Sequence, residues 1–257
     1  MAAGGAGTHG PTYVVGIDGS EPSLAAVRFV SGLARAERAD LVLAEVCVPE
    51  AEGGPIATPP QAGRRVQLAA PTPDEGLEAL AGRERSRLVA VGAPHRYGVG
   101  RLKPGGVTER LIARAQRAVL VVGAERADHA VRRVGVAHAM HADDPAPVAT
   151  AAALARGLDA DVEVISVLAP DAVGAPAQHE ERVRATLAQI GAAGAAASVV
   201  RGHPGPVLAR AGDELDLLVV GSAATAAPGR IALGDVVRRV VAHARCPVLV
   251  VPRPAEA

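Results

Sequence analysis

The chain has 257 residues and equal numbers of basic and acidic side chains, 27 of each, and this neutrality argues against a broad nucleic-acid surface. Nearly half the residues are apolar, yet Phe29, Tyr13 and Tyr97 are the only aromatics. That excludes the stacking platforms of single-strand binders and leaves Val, Leu, Ile and Ala to build the cores.

Met1–Pro11 is rich in Gly and Ala and has no basic region followed by an apolar run, so a signal peptide is not expected. Apolar spacing then predicts a strand at Tyr13–Ile17, a helix at Ser23–Ala36 and a strand at Leu41–Val48. The run from Ala51 to Gly63 holds too much Gly and Pro for a helix, so a loop is predicted that leaves one face less covered. Next come a strand at Arg65–Ala69, a helix at Pro73–Arg83, a strand at Leu88–Val91, a helix at Val107–Gln116 and a strand at Val119–Val122. After a short charged linker near Ala124–Val131 the order recurs. Its strands are Val134–Val136, Val162–Val167, Ala197–Val200, Leu217–Val220 and Val248–Val251, and its helices Ala146–Gly157, Glu180–Ala192, Pro206–Ala211 and Val236–Ala244. No apolar stretch is long enough for a membrane span, and Cys47 and Cys246, read as small buried residues, are too few for a disulfide framework. A cytoplasmic protein with no membrane partner is expected.

The recurrence is a repeat. Gly92 and Gly105 are thirteen positions apart, as are Gly221 and Gly234; Gly105 to Val119 and Gly234 to Val248 are each fourteen. The segment around Gly16 also resembles that around Gly135. A period this long is a duplicated domain. The boundaries predicted are 12–124 and 131–253. Strand–helix alternation with near-continuous apolar strands predicts an α/β fold with parallel sheets covered on both faces.

Ligands of such sheets bind beyond the carboxyl ends of the strands. In the first half Asp18 ends a strand, and Gly92 opens a loop carrying His95, Arg96, Arg101 and Lys103. That loop closes on Gly105, Gly106, Val107 and Thr108 at a helix start, where free N–H groups favour an anion. Glycines there would allow close approach and positive φ. A basic loop suits polyphosphate, and a carboxylate at Asp18 suits a ribose hydroxyl or an adenine amino group.

The opening Val15-Gly16-Ile17-Asp18-Gly19-Ser20, with Ser23 and Ala26, and the glycine-spaced later segment resemble the universal stress protein family. The resemblance covers almost all of both halves. It implies two Rossmann-like α/β sandwich domains in tandem and an adenine-nucleotide site, with ATP and its Mg²⁺ in the first domain only. The site would comprise Gly16, Ile17, Asp18, Val46, Val91, Gly92, His95, Arg96, Gly105, Gly106, Val107 and Thr108, with Asp18 and Val46 holding the adenosine end and Gly92, Gly105 and their neighbours the phosphates. It also implies pairing through the last strand of each half, so Val119–Val122 and Val248–Val251 are expected to meet antiparallel in a pseudo-dimer; further homo-oligomerisation stays open.

This chain departs from the family's nucleotide motif. His95 replaces the second glycine, and Gly106 stands at the Ser/Thr position. In the second half Ala137 is read at the acidic position, Ala224 replaces the glycine and Asp235 replaces Ser/Thr, with Arg230 as the one compensating charge. A carboxylate about 4 Å from a phosphate is repelled by roughly 4 kcal/mol at an effective dielectric near 20, so this half is not expected to bind ATP. His138, His141, Asp143 and Asp144 are read as caps and a helix start rather than metal ligands, and His203 as part of a strand-to-helix turn. No nucleophile has a base at motif spacing, so no catalytic residue is assigned. The function expected is stress response with ATP as regulatory ligand; the alternatives are a nucleotide-free interaction module and an adenylating enzyme.

Overall fold

The computed structural model of the chain describes residues 10–49, 63–93, 106–123, 128–138, 145–171, 176–189, 194–222 and 226–254. The first half comprises β1 (Thr12–Ile17), α1 (Glu21–Glu37), β2 (Asp40–Cys47), β3 (Arg64–Ala69), α2 (Pro73–Arg83), β4 (Leu88–Ala93), α3 (Val107–Arg114) and β5 (Ala118–Gly123). The second comprises β6 (Arg133–His138), α4 (Ala146–Leu158), β7 (Asp161–Leu168), α5 (Pro176–Gln189), β8 (Ala196–Arg201), α6 (Pro204–Ala211), β9 (Leu217–Gly221), α7 (Asp235–His243) and β10 (Val248–Val251). Each predicted element has its counterpart. The largest shift is at α5, which starts at Pro176 rather than Glu180 because its buried stripe begins at His179 and continues through Val183 and Leu187.

Local chemistry explains the helix ends. Ser20 caps α1 by accepting from Ser23 N, Pro22 pre-sets the first turn, and Arg38 ends the helix in the left-handed region at φ 53°. Thr72 caps α2 in the same way through Glu75 N.

The strands form one sheet in the order β3-β2-β1-β4-β5-β10-β9-β6-β7-β8. Every neighbouring pair is parallel except β5 and β10, which run antiparallel. Across that seam Val248 faces Val121, Leu249 faces Leu120 and Val250 faces Val119. Leu120 and Leu249 hold equivalent places in the repeat, so a pseudo-two-fold axis passes between them. Two apolar layers run unbroken across both halves. One lies under α1, α4 and α5 and contains Phe29, Leu33, Leu120, Leu154, Val183 and Leu249. The other lies under α2, α3, α6 and α7. Each large aliphatic side chain fully buried here stabilises the fold by about 1.5–3 kcal/mol.

Polar contacts also cross the seam. Arg238 on α7 pairs with Glu109 on α3, and Arg230 Nη1 donates to Arg114 O at 2.9 Å. α1 and α4 touch where Gly157 leaves room for the Glu37 stem. Tyr13 donates its hydroxyl to Glu37, which also pairs with Arg87 at 3.1 Å. Burial of Glu37 pushes its carboxyl above the ordinary value despite the opposing pull of Arg87.

The Ala51–Gly63 loop lies outside the described residues apart from Gly63. Cys246 is buried, but Cys47 is exposed, which corrects the reading of both as buried. Cys47 is the last residue of β2; its neighbours there are Gln67, which donates to its Sγ at 3.3 Å, and the exposed Ala69 on the edge strand β3. No helix among the described residues is long and apolar enough to cross a membrane.

Candidate functional site

The chain steps from β1 to β2 on one side and reaches β4 on the other, so the order of crossovers reverses between β1 and β4. Their carboxyl ends diverge into a cleft with an empty volume of about 570 Å³, solvent at its mouth included. Gly16, Ile17 and Asp18 enter from the end of β1, Ala44 and Val46 from β2, and Val91 and Gly92 from β4. Pro73 and Leu77 of α2 form one wall; Ser23 of α1 and Val107 and Thr108 of α3 form the rim.

Eight of the residues assigned from sequence therefore line one cleft: Gly16, Ile17, Asp18, Val46, Val91, Gly92, Val107 and Thr108. Gly106 stands beside it as the N-cap of α3, and His95, Arg96 and Gly105 lie outside the described residues, as do Arg101 and Lys103. Sequence reading missed Ser23, Ala44, Pro73 and Leu77. The Thr72-Pro73 cap fixes where α2 starts, but only folding places its first turn opposite β2.

The cleft has three chemical zones. Ala44, Val46, Pro73, Leu77 and Val91 give an apolar slot suited to a flat ring. Asp18 holds a carboxylate at the end of β1. Its Oδ1 accepts from Ser20 N at 2.9 Å and from Ser20 Oγ at 2.5 Å. Burial would raise its pKa, but the Ser20 and Ser23 hydrogen bonds outweigh that and hold it below the ordinary aspartate value. The turn that carries it needs Gly19, whose φ is +79°. The third zone is the start of α3, where the N-cap Gly106 has no side chain to cap the helix and where helix N–H groups and the dipole favour an anion.

Gly92 plays a different part from the one expected. Its φ is not positive. A Cβ there would stand 2.0 Å from Pro22 O and 2.5 Å from Ser23 N, so its bare Cα lets the start of α1 press against β4. That contact brings Ser23 to the rim.

The second half is built on the same frame with a different floor. Thr12 faces Asp40 in β2, and Arg133 faces Asp161 in β7. Asp40 N donates to Pro11 O, and Asp161 N to Arg132 O. This register makes Ala137 the equivalent of Gly16, and places the position of Asp18 at Ala139, outside the described residues. The reading of Ala137 at the acidic position is thus corrected by two residues; either alanine lacks a carboxylate. A slip of two keeps every side chain on its own face, so the apolar pattern cannot reveal it. Gly16 faces Ala44, whereas Ala137 faces Ile165. The floor therefore gains side-chain bulk on both strands. Ile231 and Leu233 pack into the same apolar layer as Ile165. Asp235 is exposed in the first turn of α7, where its own charge answers the helix dipole. Arg230, expected to offset Asp235, instead reaches the far end of α3. Burial lowers the pKa of His138. Among the described residues no group of three His, Cys, Asp or Glu side chains is placed to hold a metal; His141, Asp143 and Asp144 lie outside them, as does Ala224.

A twisted, mainly parallel sheet with helices on both faces and a cleft at its switch point defines a doubly wound α/β protein of the kind that binds ligands at its strand ends. The chain belongs to the universal stress protein family. The family's sequence profile matches residues 130–252. A universal stress protein of Thermus aquaticus is 35% identical over 123 residues, covering 43% of this chain and 90% of that protein. In three dimensions the chain is similar to a universal stress protein of Archaeoglobus fulgidus, with TM-score 0.70, 14% identity, and coverage of 94% of this chain and 98% of that one. A candidate universal stress protein of Pseudomonas aeruginosa is similar at TM-score 0.70 and 16% identity, covering 95% of this chain and 93% of that one. At these identities the two structures speak for the fold.

Proposed function

We propose that the first half, residues 12–124, binds an adenine nucleotide as a regulatory ligand in a cytoplasmic stress-response protein, and that the second half, residues 131–253, is its structural partner across the β5–β10 seam. The observation that carries this reading is the meeting of three zones in one cleft: an apolar slot, the Asp18 carboxylate and the start of α3. Base, ribose and phosphate call for the same three chemistries. The adenine ring would lie between Ala44, Val46 and Leu77, a ribose hydroxyl would donate to Asp18, and phosphate would meet the α3 amides. Asp18 is the one carboxylate lining the described cleft, so Mg²⁺ would be carried mainly by phosphate oxygens and water.

Calorimetric titration of nucleotide-stripped protein with Mg²⁺-ATP, beside AMP, tests this. One site per chain is expected. Asp18→Ala should weaken binding by about 1.5–3 kcal/mol, the worth of a hydrogen bond to a charged group. Unchanged affinity would remove Asp18 from the site, and two sites would overturn the assignment of the second half. No binding by folded protein would favour a nucleotide-free interaction module.

A further inference from the structure

We propose that the second half completes the anion-binding end of the first half's cleft, with Arg238 as the positioning residue. This rests on reading the cleft as a nucleotide site. Val107 and Thr108, the first two residues of α3, line the cleft. The third is Glu109, a carboxylate in the same turn. A glutamate at this third position can fold back on the backbone N–H at the helix start, as in a capping box. It would then compete with a bound anion for that donor and repel it. Arg238 on α7 draws the Glu109 carboxylate across the seam, and the Glu109 side chain is only 16% exposed there. At the other end of the helix, Arg230 places a cation on the Arg114 carbonyl, where the dipole favours one. Both ends of α3 are thus engaged by arginines of the half whose own cleft floor carries Ile165.

The symmetry gives this pair a further meaning. Glu109 and Arg238 occupy equivalent positions in the repeat, and they touch because both lie near the pseudo-two-fold axis. Two identical halves would set glutamate against glutamate or arginine against arginine there. Duplication within one chain lets the two positions differ, so one half acquires a neutralised helix start and the other supplies the charge.

The test is titration of the full chain with ATP and with adenosine, at low and high salt. Arg238→Gln should weaken ATP binding by about three- to tenfold at low salt and less at high salt, since the effect is one of charge over several ångströms. Adenosine affinity should not move. Glu109→Gln added to Arg238→Gln should restore ATP affinity to within about twofold, and Arg238→Lys should keep most of it. Unchanged ATP affinity in Arg238→Gln, an equal loss for adenosine, or no rescue by Glu109→Gln would each overturn the proposal. Wild-type protein that binds neither ligand would remove the nucleotide reading itself, and this proposal with it.

Discussion

Gly92 and Gly221 hold equivalent places at the ends of β4 and β9, yet a methyl group would meet different neighbours. At Gly92 it would run into the backbone of α1, 2.0 Å from Pro22 O. At Gly221 its nearest neighbour is Pro147 Cγ at 2.8 Å, and the next atoms are 3.9 Å away. Backbone cannot give way without moving the helix that carries Ser23, whereas one ring carbon can shift. Gly92→Ala should therefore cost about 3 kcal/mol or more, and Gly221→Ala about 1 kcal/mol, in urea-monitored unfolding. Equal losses would mean that the tight approach of α1 to β4 is absent in solution. The spacing marked Gly92 as special in the sequence but pointed to a ligand; the neighbour that requires it is α1, which only the fold brings there.

The seam is where individual elements decide the architecture. β5 and β10 are short, apolar and bare of charge, an edge that must be covered. Their antiparallel register sets Leu120 against Leu249. Leu120→Ala and Leu249→Ala should each destabilise by about 2–5 kcal/mol. Measured as a double-mutant cycle, the pair should show a coupling of about 0.5–3 kcal/mol, as residues in contact do. Strictly additive losses would separate the two strands. The order of strands and helices was legible throughout, because parallel strands buried on both faces are written as apolar runs. The start of α5 was not, since Pro176–His179 carries little apolar signal and His179 alone of the four is buried.

At the scale of the molecule, the two apolar layers continue from one half into the other. Cutting the chain between residues 124 and 131 should leave each half with an uncovered edge strand. Segments 12–124 and 131–253, made separately, should self-associate or aggregate, and should form a one-to-one complex when mixed, as read by sedimentation velocity. Two stable monomers that ignore each other would show that the seam does not hold the halves together. Unlike halves also explain a division of labour. One carries the open cleft, and the other, with Ala137 and Ile165 on its floor, engages α3 through Arg230 and Arg238.

The sequence by itself determined the repeat, the α/β class and most of the cleft. Glycine spacing, apolar runs and the placing of Asp18 after a strand are local facts, and the strand-end rule turns them into a site. It could not fix the register of β6, because a shift of two residues leaves the alternation of faces intact. Nor could it find Ala44, Pro73 and Leu77, which are ordinary residues until α2 folds over β2. The Glu109–Arg238 pair joins positions equivalent by repeat but far apart along the chain, and only closure of the sheet about its pseudo-two-fold axis brings them together.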